Sequence, residues 1–168
     1  MLIALALLLS GPIGARAESE AGIKAAYLLN FAKFVDWPAS AFSSAKAPMV
    51  IGIVGREAVG EELIRVGGGV TAGGRSIEVR RIVAGDTREC HLVFTPDSER
   101  GDAVIAVAQG YPVLVVGEGE GFARRGGALG FVKEGGTVRF DANPKAAARN
   151  GLNVSAKLLR VARAVIDK

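Results

Sequence analysis

Apolar and polar residues are arranged along this chain in helical patterns and in strand patterns. Together these patterns predict a mixed α/β fold. Near the N-terminus, apolar residues recur at steps of three and four, which predicts an amphipathic helix over residues 20–35. These apolar positions are Tyr27, Leu28, Phe31, Phe34 and Val35. Ser19 is a suitable N-cap, and Pro38 ends the helix because the residue before a proline avoids helical conformation.

Short, continuously apolar runs predict buried strands in the middle of the chain. They lie at residues 48–55, 90–95 and 111–117. A fourth segment, residues 75–83, alternates apolar and charged positions, as a strand with one wet face does. Helical patterns occupy residues 56–66 and residues 96–109. Since parallel strands need helical crossovers, we expect a largely parallel sheet covered by helices on both faces.

The C-terminal third predicts an antiparallel hairpin followed by a helix. Residues 128–133 and 137–142 form the hairpin around a turn at Glu134, Gly135 and Gly136. The final helix has Asn153 as its cap and one apolar face. That face consists of Val154, Leu158, Val161, Ala162 and Val165. The glycine-rich stretch at residues 67–74 is predicted to be a loop.

The first 17 residues are typical of a secretion signal. The run "MLIALALLLS" is too short to cross a bilayer, and "ARA" provides small residues before a cut after Ala17. We therefore predict a cleaved signal peptide at residues 1–17, a single domain at residues 18–168, and export to the periplasm. The alternative is an uncleaved anchor, since no Lys or Arg precedes the apolar run. Cys90 is the only cysteine, so no internal disulfide can form.

The charge balance does not indicate nucleic-acid binding. Loss of Arg16 with the signal lowers the 21 basic residues to 20 against 17 acidic ones, a net charge of +3. A nucleic-acid surface needs a dense basic patch interleaved with aromatic residues. Here most aromatic residues lie near the N-terminus and most basic residues near the C-terminus. We predict no nucleic-acid partner.

Motifs for catalysis or cofactor binding are incomplete. "GEGEGF" at residues 117–122 lacks the third glycine of a dinucleotide fingerprint, and Glu118 and Glu120 would oppose a pyrophosphate. Cys90 and His91 are neighbours on a predicted strand, so their side chains would point to opposite faces and form no dyad. Cys90 is expected to be a buried apolar residue. No ligand spacing suggests a metal. We predict no enzyme activity, no cofactor and no metal.

Two surface features remain after these exclusions. "GFARRGG" presents Arg124 and Arg125 at a glycine-bounded turn, either as a solvated face or as a site for an anion or an acidic partner. The aromatic residues of the first helix are core, a membrane anchor or a docking surface. Their helical spacing favours the core, with Trp37 fixing the turn into the first strand.

Three ordered segments resemble the YfiR family of periplasmic proteins. These are "KAAYLLNFAKFVDWP", "CHLVF" and "GFARRGGALGFVKEGGTVRFDANPKAAARNGLNVSAKLLRVARAV". The resemblance covers nearly the whole mature chain and implies a Rossmann-like α/β fold. Some relatives carry stabilising cysteine pairs. The single Cys90 departs from that pattern, so the resemblance implies no disulfide control here.

The resemblance also implies a function. It implies an exported, non-catalytic regulator that binds the periplasmic part of a membrane-bound diguanylate cyclase and represses it, lowering cyclic-di-GMP and biofilm formation. An outer-membrane lipoprotein would relieve the repression, and the regulator would be a homodimer. We predict a set of partner-binding residues. They are Asn30, Trp37, Arg124, Arg125, Arg139 and Asn143.

A second hypothesis is a periplasmic small-molecule sensor. It would use the strand-end loops at residues 55–56 and 117–122, because doubly wound sheets bind ligands at the carboxyl ends of their strands.

Overall fold

The structure is a computed structural model that describes residues 18–167. The predicted signal peptide therefore lies outside the described residues and stays a prediction. The helices are α1 (Glu20–Phe34), α2 (Ala58–Gly67), α3 (Ser98–Ala108), α4 (Pro144–Arg149) and α5 (Ala156–Val161). The strands are β1 (Val35–Asp36), β2 (Met49–Val54), β3 (Thr71–Ala72), β4 (Arg75–Ile82), β5 (Leu92–Thr95), β6 (Leu114–Glu118), β7 (Leu129–Glu134), β8 (Thr137–Ala142), β9 (Asn153–Val154) and β10 (Ala164–Val165).

Eight of these strands form one sheet in the order β10-β8-β7-β6-β5-β2-β4-β3. The pairs from β4 through β7 are all parallel, and β7 and β8 form the predicted antiparallel hairpin. The order in which the chain adds strands to the sheet reverses at β2, because β4 lies on one side of β2 and β5 lies on the other. The predicted fold class is confirmed: a Rossmann-like, largely parallel sheet with helices and a C-terminal hairpin. Strands β1 and β9 form a separate antiparallel pair.

Helices cover both faces of the large sheet. Helices α1 and α2 contribute to one hydrophobic core, and α3 contributes to a second core on the opposite face. Strand β2 supplies both cores, because Ile51 and Ile53 belong to the first and Val50 and Val54 to the second. This division explains why β2 is continuously apolar. None of the helices in the described part of the chain is long and apolar enough to cross a membrane.

The aromatic residues of α1 are mainly core, as predicted. Tyr27 and Phe31 pack against Phe131 of β7 and Phe140 of β8, with ring centroids 5.0–5.8 Å apart. Burying rings of this size stabilises the fold by roughly 2 kcal/mol each. Phe34 differs from the prediction, since it is 39% exposed at the end of the helix.

Two segments differ from their predicted structure. The glycine-rich segment is not entirely loop, because β3 pairs with β4 through a tight turn at Gly73 and Gly74. Both glycines have positive φ, +56° and +75°, which suits a two-residue hairpin turn. The predicted C-terminal helix is present but shorter than predicted. It is α5, capped by Ser155, and it is flanked by β9 and by β10, which pairs with β8.

Candidate functional site

A charged cluster lies at the carboxyl ends of the parallel strands. The ammonium of Lys24 on α1 is 2.8 Å from Glu20 Oε1 and 2.8 Å from Glu118 Oε2 at the end of β6. Lys24 is only 7% exposed. Burial by itself lowers the pKa of Lys24, but the hydrogen bonds to Glu118 and Glu20 outweigh it and the pKa is raised. Lys24 is therefore a fixed positive charge that ties α1 to the sheet.

Glu57 is a half-buried acid beside this cluster, where the chain leaves β2 for α2. Burial, reinforced by the negative charge of Glu118 and opposed by Lys24, raises the pKa of Glu57 to about 7. Its Oε1 is buried and has no hydrogen-bond partner among the described residues. Because the pKa of Glu57 is higher in the folded state, its carboxyl loses the proton at a lower pH in the unfolded chain than in the folded one. The folded state is therefore penalised progressively as the pH rises from the unfolded pKa near 4.5 to about 7.

A second feature of the chain, which we call the arginine turn, comprises residues 122–126. The first residue of the arginine turn, Phe122, anchors it, because its ring is fully buried in the core beneath α3. Three glycines make room for this ring. A Cβ on Gly127 would lie 2.0 Å from it, one on Gly117 2.3 Å, and one on Gly101 2.8 Å. These distances are far below ordinary carbon contacts, so the ring fills a slot that only glycine permits.

The exposed part of the arginine turn holds Arg124 and Arg125 on a short 3-10 helix. Asn143 supports it from below, since its Nδ2 donates to Ala123 O at 2.8 Å while its Oδ1 accepts from the backbone of α4. Arg125 Nε donates to Asp102 Oδ1 at 3.1 Å. The backbone of the turn is thus anchored by a ring and a buried amide, and the turn exposes the side chains of Arg124 and Arg125 to solvent.

The predicted partner-binding residues fall into different surroundings. Arg124, Arg125 and Asn143 come together at the arginine turn, but Asn143 is only 2% exposed and its amide is engaged within the chain. Asn30 is exposed on α1. Arg139 lies on β8, 4.0 Å from Glu134. Whether any of these residues contacts a partner stays a prediction.

Trp37 belongs to a stacked cluster that the sequence did not reveal. Its indole Nε1 donates to His91 O at 3.1 Å, as expected of a residue that fixes the turn after α1. The His91 ring stacks on Phe42 with 4.3 Å between centroids, and the guanidinium of Arg75 lies 3.7 Å above Phe42. This stack binds the loop between β1 and β2 to the sheet.

His91 has a structural role. Its Nδ1 accepts from Val50 N at 3.0 Å, so the neutral ring carries its proton on Nε2, which donates to Ala41 O at 3.0 Å. Burial is the main reason that the pKa of His91 is lowered. The imidazole binds a proton more readily in the unfolded chain than in the folded one. The folded state therefore loses stability as the pH falls below the unfolded pKa of 6.5. Both ring nitrogens are engaged by backbone groups, so neither can serve Cys90.

Cys90 is buried, as predicted, and 4% exposed. Burial raises the pKa of its thiol to about 11, so the thiol is protonated at neutral pH. The described residues contain no group of three or more metal-ligating side chains placed to hold an ion. The arginine turn is an exposed polar feature whose backbone is anchored by Phe122 and Asn143.

Arg163 lies within the segment predicted to be the final helix, but it follows the end of α5 and directly precedes β10. Its guanidinium donates to both oxygens of Asp141 at 2.8 and 2.7 Å, and to both oxygens of Glu120 at 2.8 and 3.0 Å. Asp141 lies on β8 and is only 6% exposed. Arg163 thus fastens β10 to the sheet and to the loop that leads into the arginine turn.

Comparison with known proteins places this architecture in a class of regulatory proteins. The YfiR/HmsC-like family model matches residues 21–163, and the chain belongs to this family. It is a family of periplasmic, non-catalytic regulators linked to diguanylate cyclase signalling. No curated protein matches the chain.

A solved structure also matches. It is the crystal structure of a conserved domain protein from Vibrio cholerae, with 14% sequence identity and a TM-score of 0.47. The match covers 70% of this chain and 55% of that one, so this chain spans about half the length of that protein.

Proposed function

We propose that this protein represses a membrane-bound diguanylate cyclase by binding the periplasmic part of that enzyme. The observation that supports the proposal is the family match, which extends over residues 21–163 and so includes all five helices apart from Glu20, the first residue of α1. The proposed regulator makes or breaks no covalent bond. It acts by binding one conformation of the cyclase more tightly than another.

The arginine turn is the proposed contact with the cyclase. Arg124 and Arg125 are exposed, and the buried ring of Phe122 and the amide of Asn143 hold the backbone that carries them in place. Such a surface loses little conformational entropy when it binds, because its backbone is already ordered. Guanidinium groups pair with carboxylates through two parallel hydrogen bonds, so an acidic patch on the cyclase is the complementary surface.

The strength of the repression depends on how much more tightly the regulator binds one conformation of the cyclase than the other. A coupling of about 1–3 kcal/mol between binding and cyclase conformation changes the equilibrium constant between the two cyclase conformations about 5- to 150-fold. An outer-membrane lipoprotein that competes for the same surface would relieve the repression. The proposal needs no cofactor.

The experiment compares charge-reversed variants in cells. Arg124→Glu with Arg125→Glu should abolish co-purification with the cyclase and raise cyclic-di-GMP to the level of a deletion strain. The matched control is Lys157→Glu with Arg160→Glu, which makes the same change of charge at exposed positions of α5. Control protein should still repress. A deletion that leaves cyclic-di-GMP unchanged would refute repression, and equal effects of the two double variants would refute the arginine turn as the contact.

A second candidate function is sensing of a small molecule at the carboxyl ends of the strands. An open cavity of about 410 Å³ lies there, lined by Lys24, Glu118, Gly119, Glu120 and other residues of α1 and β7. Part of the loop at residues 117–122 therefore borders a space of ligand size. The loop at residues 55–56 does not line it. Thermal-shift screening with small periplasmic metabolites tests this candidate, and a ligand whose effect survives Lys24→Met would bind elsewhere.

A further inference from the structure

A cavity of about 220 Å³ lies between the arginine turn, α3 and α4. It shares no lining residue with the cavity at the carboxyl ends of the strands. Its charged lining residues are Arg125 of the arginine turn and Arg149 at the end of α4, and among residues 18–167 no acidic side chain lines it. We call it the two-arginine cavity. Its lining carries two positive charges and no negative one.

Several hydrogen-bond donors in this lining have no acceptor in the described part of the chain. Arg125 donates to Asp102 through Nε at 3.1 Å, which leaves its two Nη groups available. Arg149 is exposed, and its guanidinium forms no hydrogen bond or ion pair within residues 18–167. The exposed amide of Gln109, at the end of α3, is likewise without a partner there. Guanidinium groups in this condition bind carboxylate oxygens in pairs.

The backbone that carries the two arginines is held by buried and half-buried amides. Asn143 is 2% exposed, and its side chain accepts from the backbone of α4 and donates to Ala123 O of the arginine turn, each at 2.8 Å. At the end of α4, Asn150 accepts from Gly110 N at 3.0 Å and donates to Val113 O at 2.9 Å. Both walls of the cavity are therefore ordered before a ligand binds, which lowers the entropy cost of binding.

The remaining side chains of the lining are apolar. They belong to Ile105 of α3, Val115 of β6, Ala128 and Ala146. A lining that is apolar in the middle and positively charged suits a molecule with methylene groups between carboxylates, whereas inorganic phosphate would offer charge and no apolar part. The volume is below the roughly 300–1,000 Å³ of sites for drug-sized ligands, so the ligand is small.

We infer that the two-arginine cavity binds a short aliphatic dicarboxylate, with about four or five carbons. One carboxylate accepts hydrogen bonds from the two Nη groups of Arg125, and the other accepts from Arg149. The methylene carbons between them contact Ile105 and Val115. The two negative charges of the ligand then balance the two positive charges of the lining.

Binding would also affect the arginine turn. A bound dicarboxylate occupies the guanidinium of Arg125, which belongs to the proposed contact with the cyclase, so the ligand would compete with the cyclase and weaken repression. This consequence rests on the proposed function, whereas the binding itself does not. The experiment therefore uses the purified regulator without the cyclase, and its result is independent of whether the protein represses that enzyme.

Isothermal titration calorimetry of the mature protein tests the inference with four probes. Succinate or glutarate should bind with a dissociation constant of about 1 mM or lower. Butyrate has an apolar chain of similar length and a single carboxylate, so it should bind about tenfold more weakly or worse. Inorganic phosphate should bind no better than butyrate.

Substitutions and amide NMR spectra locate the site. Arg149→Gln should weaken binding of the dicarboxylate about tenfold or more, because one carboxylate loses its charged partner. The matched control is Arg160→Gln, the same change at an exposed position of α5 that does not line the cavity, and it should alter the dissociation constant less than about twofold. The dicarboxylate should shift the amide signals of Gly126 and Ala128 and leave that of Lys133, in the other cavity, unchanged.

Three results would each overturn the inference, provided that circular dichroism shows the protein to be folded. They are the absence of binding by both dicarboxylates, binding of butyrate or phosphate as tight as that of glutarate, and equal losses of affinity in Arg149→Gln and Arg160→Gln.

Discussion

The slot around Phe122 leads to a prediction whose magnitude follows from the structure. A methyl group added at Gly127 would lie 2.0 Å from Cε1 of the ring. The backbone of Gly127 is not in the left-handed region, so alanine would cause only this steric conflict. The ring is fully buried. Overpacking usually costs about 1–3 kcal/mol, and complete loss of the ring in Phe122→Ala about 3–5 kcal/mol. We expect Gly127→Ala to cost about 3 kcal/mol.

Urea denaturation followed by circular dichroism measures this loss. For a domain of this length, about 3 kcal/mol corresponds to a decrease in Tm of roughly 6–12 °C. In a Phe122→Ala background the same Gly127→Ala change should cost less than about 0.5 kcal/mol, because the conflicting ring is gone. Gly85→Ala is the control, since a Cβ there would meet no atom within 4 Å. A Gly127→Ala protein as stable as the wild type, or one that loses the same amount without the ring, would refute the reasoning.

Three further predictions concern the buried polar groups. Glu57→Gln should raise the free energy of unfolding by about 1–2 kcal/mol at pH 8 and leave it unchanged at pH 4, because only the ionised acid is penalised; equal effects at both pH values in urea titrations would contradict this. Lys24→Met should shift the carboxyl titration of Glu57 to higher pH by NMR, since Lys24 opposes the rise in its pKa; an unchanged midpoint would contradict the assigned cause. His91→Ala should cost about 2–4 kcal/mol in the same urea assay, because Val50 N–H and Ala41 C=O lose their partners; a loss below 1 kcal/mol would show that water replaces the ring.

Much of the candidate site could be predicted only in outline. The sequence indicated an exposed turn at Arg124 and Arg125, because two charged residues between glycines rarely enter a core. It did not identify Phe122 as the anchor. The signal was present, since Gly117 and Gly127 surround this residue in the chain, yet glycines in a row of turns have many explanations. Only the packed sheet shows that a Cβ at either position would collide with the ring.

The half-buried acid Glu57 was harder to predict. Nothing near Glu57 in the sequence distinguishes it from an exposed residue at the start of a helix. Its pKa is raised mainly by burial, with a further rise from Glu118 of β6 and an opposing effect from Lys24 of α1, and these segments are far apart in the chain. Long-range electrostatics of this kind depends on distances that no local pattern contains.

The sequence by itself determined the elements whose periodicity is strong: the amphipathic α1, the continuously apolar β2, β5 and β6, and the hairpin of β7 and β8. These patterns persist because each segment must bury its apolar side whatever its neighbours are. The tertiary structure decided the ending of the chain, where a helical pattern through Val161 and Val165 gives way to β10. There β10 pairs with the edge of β8, and Arg163 forms ion pairs with Asp141 and Glu120. A longer helix would lose these contacts.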